Sequence, residues 1–450
     1  MVNFALALSL AACRSEPVPR TAPVVDLPAG GAVTIALAGD TSFTTLDGVS
    51  SNALDLVRGA TLAFTNLEVT LLNADRVRDA ENRPTPRWIF APARDAARLR
   101  DAGFDVVSLA NNHAMDFGAD GLRSTLRALD GAGIVHAGAG ADLAAARGPA
   151  VVGHSSRHVA VVAVTASLSD QARASASQQD IQGRPGVSPL AYDATVTVDA
   201  ATFRTLAGSV TSLQAGPSPG EHEFTMFGRR IRKGDETRVE FTLTASDAQS
   251  VLAAIRAARQ QAEFVIVSLH SHEPVNESEA PADFIRDFAH AAVDAGAHLV
   301  VGHGPHRLRG AEIYQGAPIF YSLGNFVFET NGLDFRAADQ FDAGSNLYTA
   351  ALGASAAVPS PYAQLDRDWW WQGALVMATE ESGTLTGVRV YPVTLKSGDE
   401  PGKKGVPQLA ARAEAGTILR QFSDFSRRFG TDLPVGPSTA ILELPISENR

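Results

Sequence analysis

The chain has 450 residues, 45% of them hydrophobic and 19% charged, enough for a substantial core in one large domain with insertions, or in two domains. Its formal net charge of -11 argues against unaided binding to a nucleic-acid backbone, so no nucleic-acid partner is expected. A phosphate-containing substrate is still allowed, because bound divalent cations reverse the sign of a local field.

In chain order, the first feature is the apolar run MVNFALALSLAA, residues 1–12. It is too short to span a bilayer and reads as a processing signal. Leu10-Ala11-Ala12-Cys13 resembles the lipobox of bacterial lipoproteins, in which the cysteine is acylated and becomes the mature N-terminus, although no Lys or Arg precedes Arg14. The alternative is an apolar start that merely packs or frays. Cys13 is the single cysteine, so no disulfide forms within the chain. Residues 13–32, with four prolines and a closing Gly-Gly, read as a tether.

Regular elements begin at residue 33. VTIALA (33–38) is a buried-type strand running into Gly39-Asp40, and TLAFTNL (61–67) is another, ending at Glu68. RDAARLRDA (94–102) predicts a helix with Gly103 as its stop, FDVVSLA a strand, and GADGLRSTLRALDGAG a second helix. IVHAG and HVAVVAV continue the rhythm. Residues 170–245 are polar and glycine-rich, with strand-like TVTVDAATF and RVEFTLTA, and read as an insertion. The alternation resumes with the helix SVLAAIRAARQQ, the strand EFVIVSLHSH, the helix ADFIRDFAHAAVDAG, HLVVGHGPH and PIFYSLGNFVFE. After an irregular tract at 331–368 come strand-like DWWWQGALVMATE and TGVRVYPVTL, and residues 396–450 form an extension with an amphipathic helix. Nearly continuous apolar strands alternating with helices predict an α/β layered fold whose sheets are covered on both faces, in a domain spanning 33–395.

Asp40, Glu68, Asn112 with His113, and His270 with His272 follow successive strands, and His303 with His306 follow a fifth. Ligand sites of α/β sheets lie beyond such strand ends. Carboxylate, carboxamide and imidazole together suit Mn, Zn or Fe better than an all-oxygen Ca or Mg site, and this set could hold one or two ions. A pair of ions activates water for in-line phosphoryl displacement, so the pattern points to metal-assisted hydrolysis.

AGD (38–40), NLE (66–68), NNHAMDFG (111–118), GHGPHRLRG (302–310) and IFYSLGNFVF (319–328) together resemble the bacterial CapA family, the capsule or poly-gamma-glutamate biosynthesis proteins with a calcineurin-like metallophosphoesterase fold. The resemblance implies metal ligands at Asp40, Glu68, Asn112, His270, His303 and His306. It implies a catalytic His113 that stabilises negative charge or protonates a leaving group. Asp116 either shapes the start of the following helix or orients His113. His272 stands where many relatives have Trp-Gly after the histidine; it is a replacement ligand or faces the solvent and substrate side. Arg307 and Asn325 complete the expected substrate-binding set, with Arg309 a further cation and Asn325 otherwise a buried structural residue. Two departures are visible: Asp40-Thr41-Ser42 lacks the imidazole of the usual Asp-x-His opening, and Gly304 replaces the first histidine of His-Pro-His. Trp369, Trp370 and Trp371 cannot all face one side of a strand, so at least one is expected outside the core or lining the cleft.

Two function classes follow. One is a metal-dependent hydrolase acting on a phosphoester or an anionic polymer or peptide-type substrate. The other is a non-enzymatic polymer-binding, assembly or scaffold subunit with a vestigial site. In either case the expectation is an exported, lipid-anchored protein on the periplasmic or outer side, working with an envelope biosynthesis complex.

Overall fold

A computed structural model of the chain describes residues 27–28, 30–46, 48–73, 90–154, 157–213, 215–329, 367–396, 404–436 and 441–445. Cys13, the signal, most of the tether and the tract at 331–366 lie outside the described residues.

Two large sheets face each other. The first is built around the strand Val33–Phe43, which pairs in parallel with Leu62–Leu67 and antiparallel with Gln372–Glu381. Val106–Ser108 and Val135–Ala137 extend the parallel side; Thr384–Lys396 and Lys404–Leu409 extend the other. The second sheet runs in the order Leu308–Tyr314, Ala317–Leu323, Leu299–His303, Phe264–His270, Arg157–Thr165, Ala150–His154, and its four central strands are parallel.

The period-two alternation of strand side chains explains the unbroken apolar runs. Val33, Ile35 and Leu37 face inward with Val159, Val161, Phe264, Ile266, Leu299 and Val301, forming the core between the sheets. Their neighbours Ala36 and Ala38 point outward, under Leu54 and Val57 of helix Asn52–Gly59, Leu99 of Asp95–Asp101 and Leu122 of Gly118–Ala132. On the second sheet, Val162, Val265 and Val267 meet Val251 and Ile255 of helix Ala245–Arg259, and Phe284, Ile285 and Phe288 of Asp283–Asp294. Each strand thus serves two apolar layers, in a helix–sheet–sheet–helix stack. This is the expected layered α/β fold.

Local outcomes differ from the sequence reading where long-range pairing intervenes. The first strand continues past Gly39 to Phe43 because the new parallel partner Asn325–Glu329 takes over at Asp40, where the register shifts. PIFYSLGNFVFE, left undivided in the sequence, forms two strands: Gly324, at φ +68, passes the chain from the second sheet into the first. Strand-like TVTVDAATF stops at Val198, because Asp199 accepts the backbone N–H groups of Ala201 and Thr202 and opens helix Ala200–Leu213. The three tryptophans lie on a single 3-10 turn, Asp368–Trp371.

Within the insertion, strands Tyr192–Val198, Glu223–Met226, Arg229–Lys233 and Arg238–Leu243 form a separate sheet. It has its own small core of Val198, Phe203, Val210, Phe224 and Ile231. The C-terminal helix Arg412–Arg427 sends Ile418, Leu419 and Phe422 into the inter-sheet core. It also covers the edge strand, where Ala311 and Ile313 N–H groups donate to Ser426 Oγ (2.9 Å) and Thr431 Oγ1 (3.0 Å). No helix among the described residues is long and apolar enough to cross a membrane.

Candidate metal centre

Parallel strands deliver the polar residues to one end of the stack. Asp40 pairs in register with Asn66 on one side and Asn325 on the other, and His270 pairs with His303 across the second sheet. Two ligand groups result, each with donor atoms within 4.8 Å of one another: Asp40, Glu68 and His306, and Glu68, His270 and His272. Glu68 belongs to both.

Within the first group, His306 Nδ1 lies 3.7 Å from Asp40 Oδ2 and 3.9 Å from Glu68 Oε2. In the second, His270 Nε2 lies 3.8 Å from Glu68 Oε1 and 3.2 Å from His272 Nε2. His303 is in neither group, but its Nδ1 is 3.6 Å from Asp40 Oδ1. Among the described residues, both Glu68 oxygens, both His303 nitrogens and Asn112 Oδ1 are buried without a hydrogen-bond partner. Buried polar groups in that state are expensive, and a carboxylate most of all. A divalent cation bound by carboxylate, imidazole and carboxamide would satisfy them, so the residues fit a metal.

Electrostatics agree with the geometry. Burial pushes Asp40 up to about 7, against hydrogen bonds from Gly304 N–H and Asn66 that lower it. Burial, with Asp40 and Asp116 nearby, holds Glu68 well above the usual carboxylate range. Burial drives His303 and His306 down to about 3 and lowers His270 and His272 as well. These imidazoles stay neutral, the form that binds metals.

Several side chains hold the candidate ligands in place. Asn66 Nδ2 donates to Asp40 Oδ1 (2.8 Å) and lies 3.2 Å from His270 Nδ1. Asn111 donates to the Leu67 carbonyl (2.8 Å) and accepts from His113 N–H, building the loop. Asp116 Oδ2 is 2.8 Å from His113 Nδ1, and the following helix begins at Phe117 without a side-chain cap. Asn325 is buried, with Oδ1 3.0 Å from His306 Nδ1 and Nδ2 donating to the Trp370 carbonyl. The Trp370 ring packs on His306 at 4.6 Å between centroids. Gly304, at φ +111, presses against the Ser271 backbone and donates its N–H to Asp40 Oδ2 (3.0 Å), a contact that a side chain would crowd.

Arg307 is turned to the neighbouring loop: it donates to the Glu277 carbonyl, faces Glu279 at 3.7 Å and stacks on Trp369. Arg309 is fully buried and donates to the carbonyls of Val275 and Ser278. Asn66 and Asn276 escaped the sequence reading as site residues, while Trp370 is the one of the three tryptophans that packs on His306. Only Asn66 left a local signal, as a polar residue inside the otherwise buried run LAFTNL.

Comparison with known proteins now decides the lineage, since residues 26–330 match the bacterial capsule synthesis protein family PGA_cap. The chain belongs to that family. An uncharacterized protein of Sinorhizobium fredii is 31% identical over 412 residues, covering 88% of each chain. A probable polyglutamine synthesis accessory protein of Mycobacterium tuberculosis is 33% identical over 51% of this chain and 46% of its own. The PGA biosynthesis protein CapA of Bacillus subtilis is 29% identical over 51% of this chain and 44% of its own. The layered α/β architecture is consistent with the phosphoesterase-like fold expected for this PGA_cap member.

Proposed function

We propose that this PGA_cap protein is a metal-dependent hydrolase acting on a phosphoester or an anionic polymer or peptide-type substrate, in poly-gamma-glutamate or capsule biosynthesis. One observation carries the reading: Glu68 is buried with both oxygens unpartnered, and it is shared by two ligand groups. Asp40, Glu68 and His306 would hold one ion, His306 through Nδ1 once that nitrogen gives up the proton it donates to Asn325 Oδ1, and Glu68, His270 and His272 a second, with Asn112 Oδ1 and His303 as further donors. The mixed N/O donors favour Mn or Zn, with Fe also suited. A bound divalent ion supplies a Lewis acid for the substrate oxygen and lowers the pKa of water.

The chain's own chemistry centres on His113. Asp116 accepts from Nδ1, so the imidazolium form of His113 presents Nε2–H to an anionic oxygen or passes that proton to the leaving group. Names of the Bacillus and Mycobacterium relatives support a place in polymer biosynthesis. Cys13 would anchor the exported protein to the membrane through its lipid, and a Cys13→Ser variant should then leave the membrane fraction.

The test is metal analysis of purified protein, joined to turnover assays on a phosphomonoester, a phosphodiester and poly-gamma-glutamate. Stoichiometric Mn, Zn or Fe is expected, with turnover falling about 10²–10⁴-fold in His113→Ala. Absence of both bound metal and turnover overturns the reading. Bound metal without turnover favours the second reading, a binding or assembly subunit, with which the word accessory in one relative's name agrees.

A further inference from the structure

We infer that Asn276, on a loop clamped by Arg309 and Arg307, is a positioning residue that makes His272 a ligand of the ion held by Glu68 and His270. This rests on the metal centre proposed above and gives a role to Asn276, which the family resemblance does not assign.

The inference starts from one hydrogen bond. His272 Nδ1 lies 2.7 Å from Asn276 Oδ1. A carboxamide oxygen only accepts, so the imidazole proton sits on Nδ1 and Nε2 is left as an acceptor, which takes the hydrogen bond from His270 Nε2. Its lone pair is directed inward, since Nε2 stands 3.2 Å from His270 Nε2. Two imidazole nitrogens on one tetrahedral zinc, at roughly 2.0–2.1 Å each, are about 3.3 Å apart. The hydrogen-bonded spacing of 3.2 Å thus already matches that of two ligands of one ion, which would replace the shared proton, with Glu68 Oε1 3.8 Å from His270 Nε2 as the third donor.

Considerable structure is devoted to this arrangement. Arg309 donates to the carbonyls of Val275 (3.1 Å) and Ser278 (3.2 Å), on either side of Asn276, and Arg307 donates to that of Glu277. Burying a guanidinium is costly unless its donors are used, and the fully buried Arg309 directs those bonds at the loop. The His272 backbone is fixed from the other side: its N–H donates to Ser167 Oγ (2.8 Å), which donates in turn to Glu273 Oε2 (2.8 Å). Tyr192 and Ser271 hydroxyls complete the bonds to Glu273. The arginines are the first and third residues after His306 in sequence. The segment that supplies a ligand to one ion thus also sets the loop that orients a ligand of the other.

The test is calorimetric zinc titration of the metal-stripped full-length protein and of Asn276→Leu, Asn276→Asp and His272→Ala, with ion-free melting curves as a control. Wild type is expected to bind two zinc ions. Asn276→Leu should weaken one of them about 10–100-fold and spare the other. Asn276→Asp should restore it, because a carboxylate also accepts from Nδ1, and His272→Ala should weaken the same ion. Should Asn276→Leu fail to fold, loss in His272→Ala with retention in Asn276→Asp carries the same result. The inference is overturned if His272→Ala keeps wild-type affinity for every ion bound, or if folded Asn276→Leu does. A wild type that binds no zinc, Mn or Fe sinks the metal centre itself, and this inference with it.

Discussion

Glu68 is the residue on which the centre turns, and its burial gives opposite predictions for the two states of the protein. Without an ion, the site holds its pKa well above the usual range, so the fold must keep a proton on it that the unfolded chain gives up, and a neutral carboxamide avoids that cost. Glu68→Gln should raise the melting temperature of the ion-free protein, while abolishing the stabilisation that added zinc or manganese gives wild type. Calorimetric melts with and without metal check both signs, and an ion-free melting temperature that falls would contradict the account. Titration of the same cluster sets a pH dependence. Above their ordinary range, near 3.8 for Asp40, the folded ion-free protein keeps protons on Asp40, up to about 7, and on Glu68. The unfolded chain has released them, so this contribution is lost as pH rises toward 7. His303 and His306, at about 3, and the lowered His270 and His272 refuse protons that the unfolded chain binds below 6.5. Their contribution is lost as pH falls. Four histidines outnumber two carboxylates, so ion-free stability should rise from roughly pH 4.5 to 6.5 and then decline. Denaturant midpoints of stripped protein from pH 5 to 8 read the maximum; a steady rise to pH 8 would refute it.

At the scale of elements, the site depends on a crossing of strands at glycines. Asp40 N–H donates to the Gly324 carbonyl (2.9 Å), where the chain passes from one sheet to the other. A Cβ on Gly39 would collide with that same carbonyl. Gly39→Ala should therefore cost about 1–3 kcal/mol in urea denaturation. It should also weaken metal binding, since Asp40 and Asn325 must shift together; unchanged affinity and stability would show that the crossing has slack. Most elements were legible in the sequence because helix caps and strand periodicity are local. Gly103 and Gly133 end their helices in positive-φ conformations, and Phe264–His270 spans the strand read from EFVIVSLHSH. What stayed illegible depends on a partner far along the chain: the extension of the first strand to Phe43, and the division of PIFYSLGNFVFE at Gly324. Nothing in the local pattern of either stretch announces a change of sheet.

For the molecule as a whole, the C-terminal helix completes the core. Ile418, Leu419 and Phe422 lie in the inter-sheet cluster at 1% exposure or less, and each contributes roughly 1.5–3 kcal/mol by burial. A chain ending at residue 411 loses these contacts together and uncovers the Leu308–Tyr314 edge strand. Against a usual margin of about 5–15 kcal/mol, it should be recovered insoluble or without cooperative unfolding. A soluble truncation with a sharp melting transition would show that the sheets suffice alone. The insertion carries a core of its own, yet Tyr192 reaches back to Glu273 (2.5 Å) beside His272, tying that subdomain to one wall of the candidate metal centre.

Residue type and local period by themselves determined the layered α/β class, most strand and helix positions, and the recurrence of carboxylate, carboxamide and imidazole after strands. Those properties belong to short windows, where side-chain alternation and capping act. Only the tertiary structure decided that Glu68 is shared by two ligand groups, that Asn66 braces Asp40, and that Asn276 sets the ring of His272. It also decided that Arg307 and Arg309 hold a loop. These roles arise where two sheets and their loops converge, and a side chain's partner there is chosen by strand register and chain crossing, which neighbours in sequence do not specify.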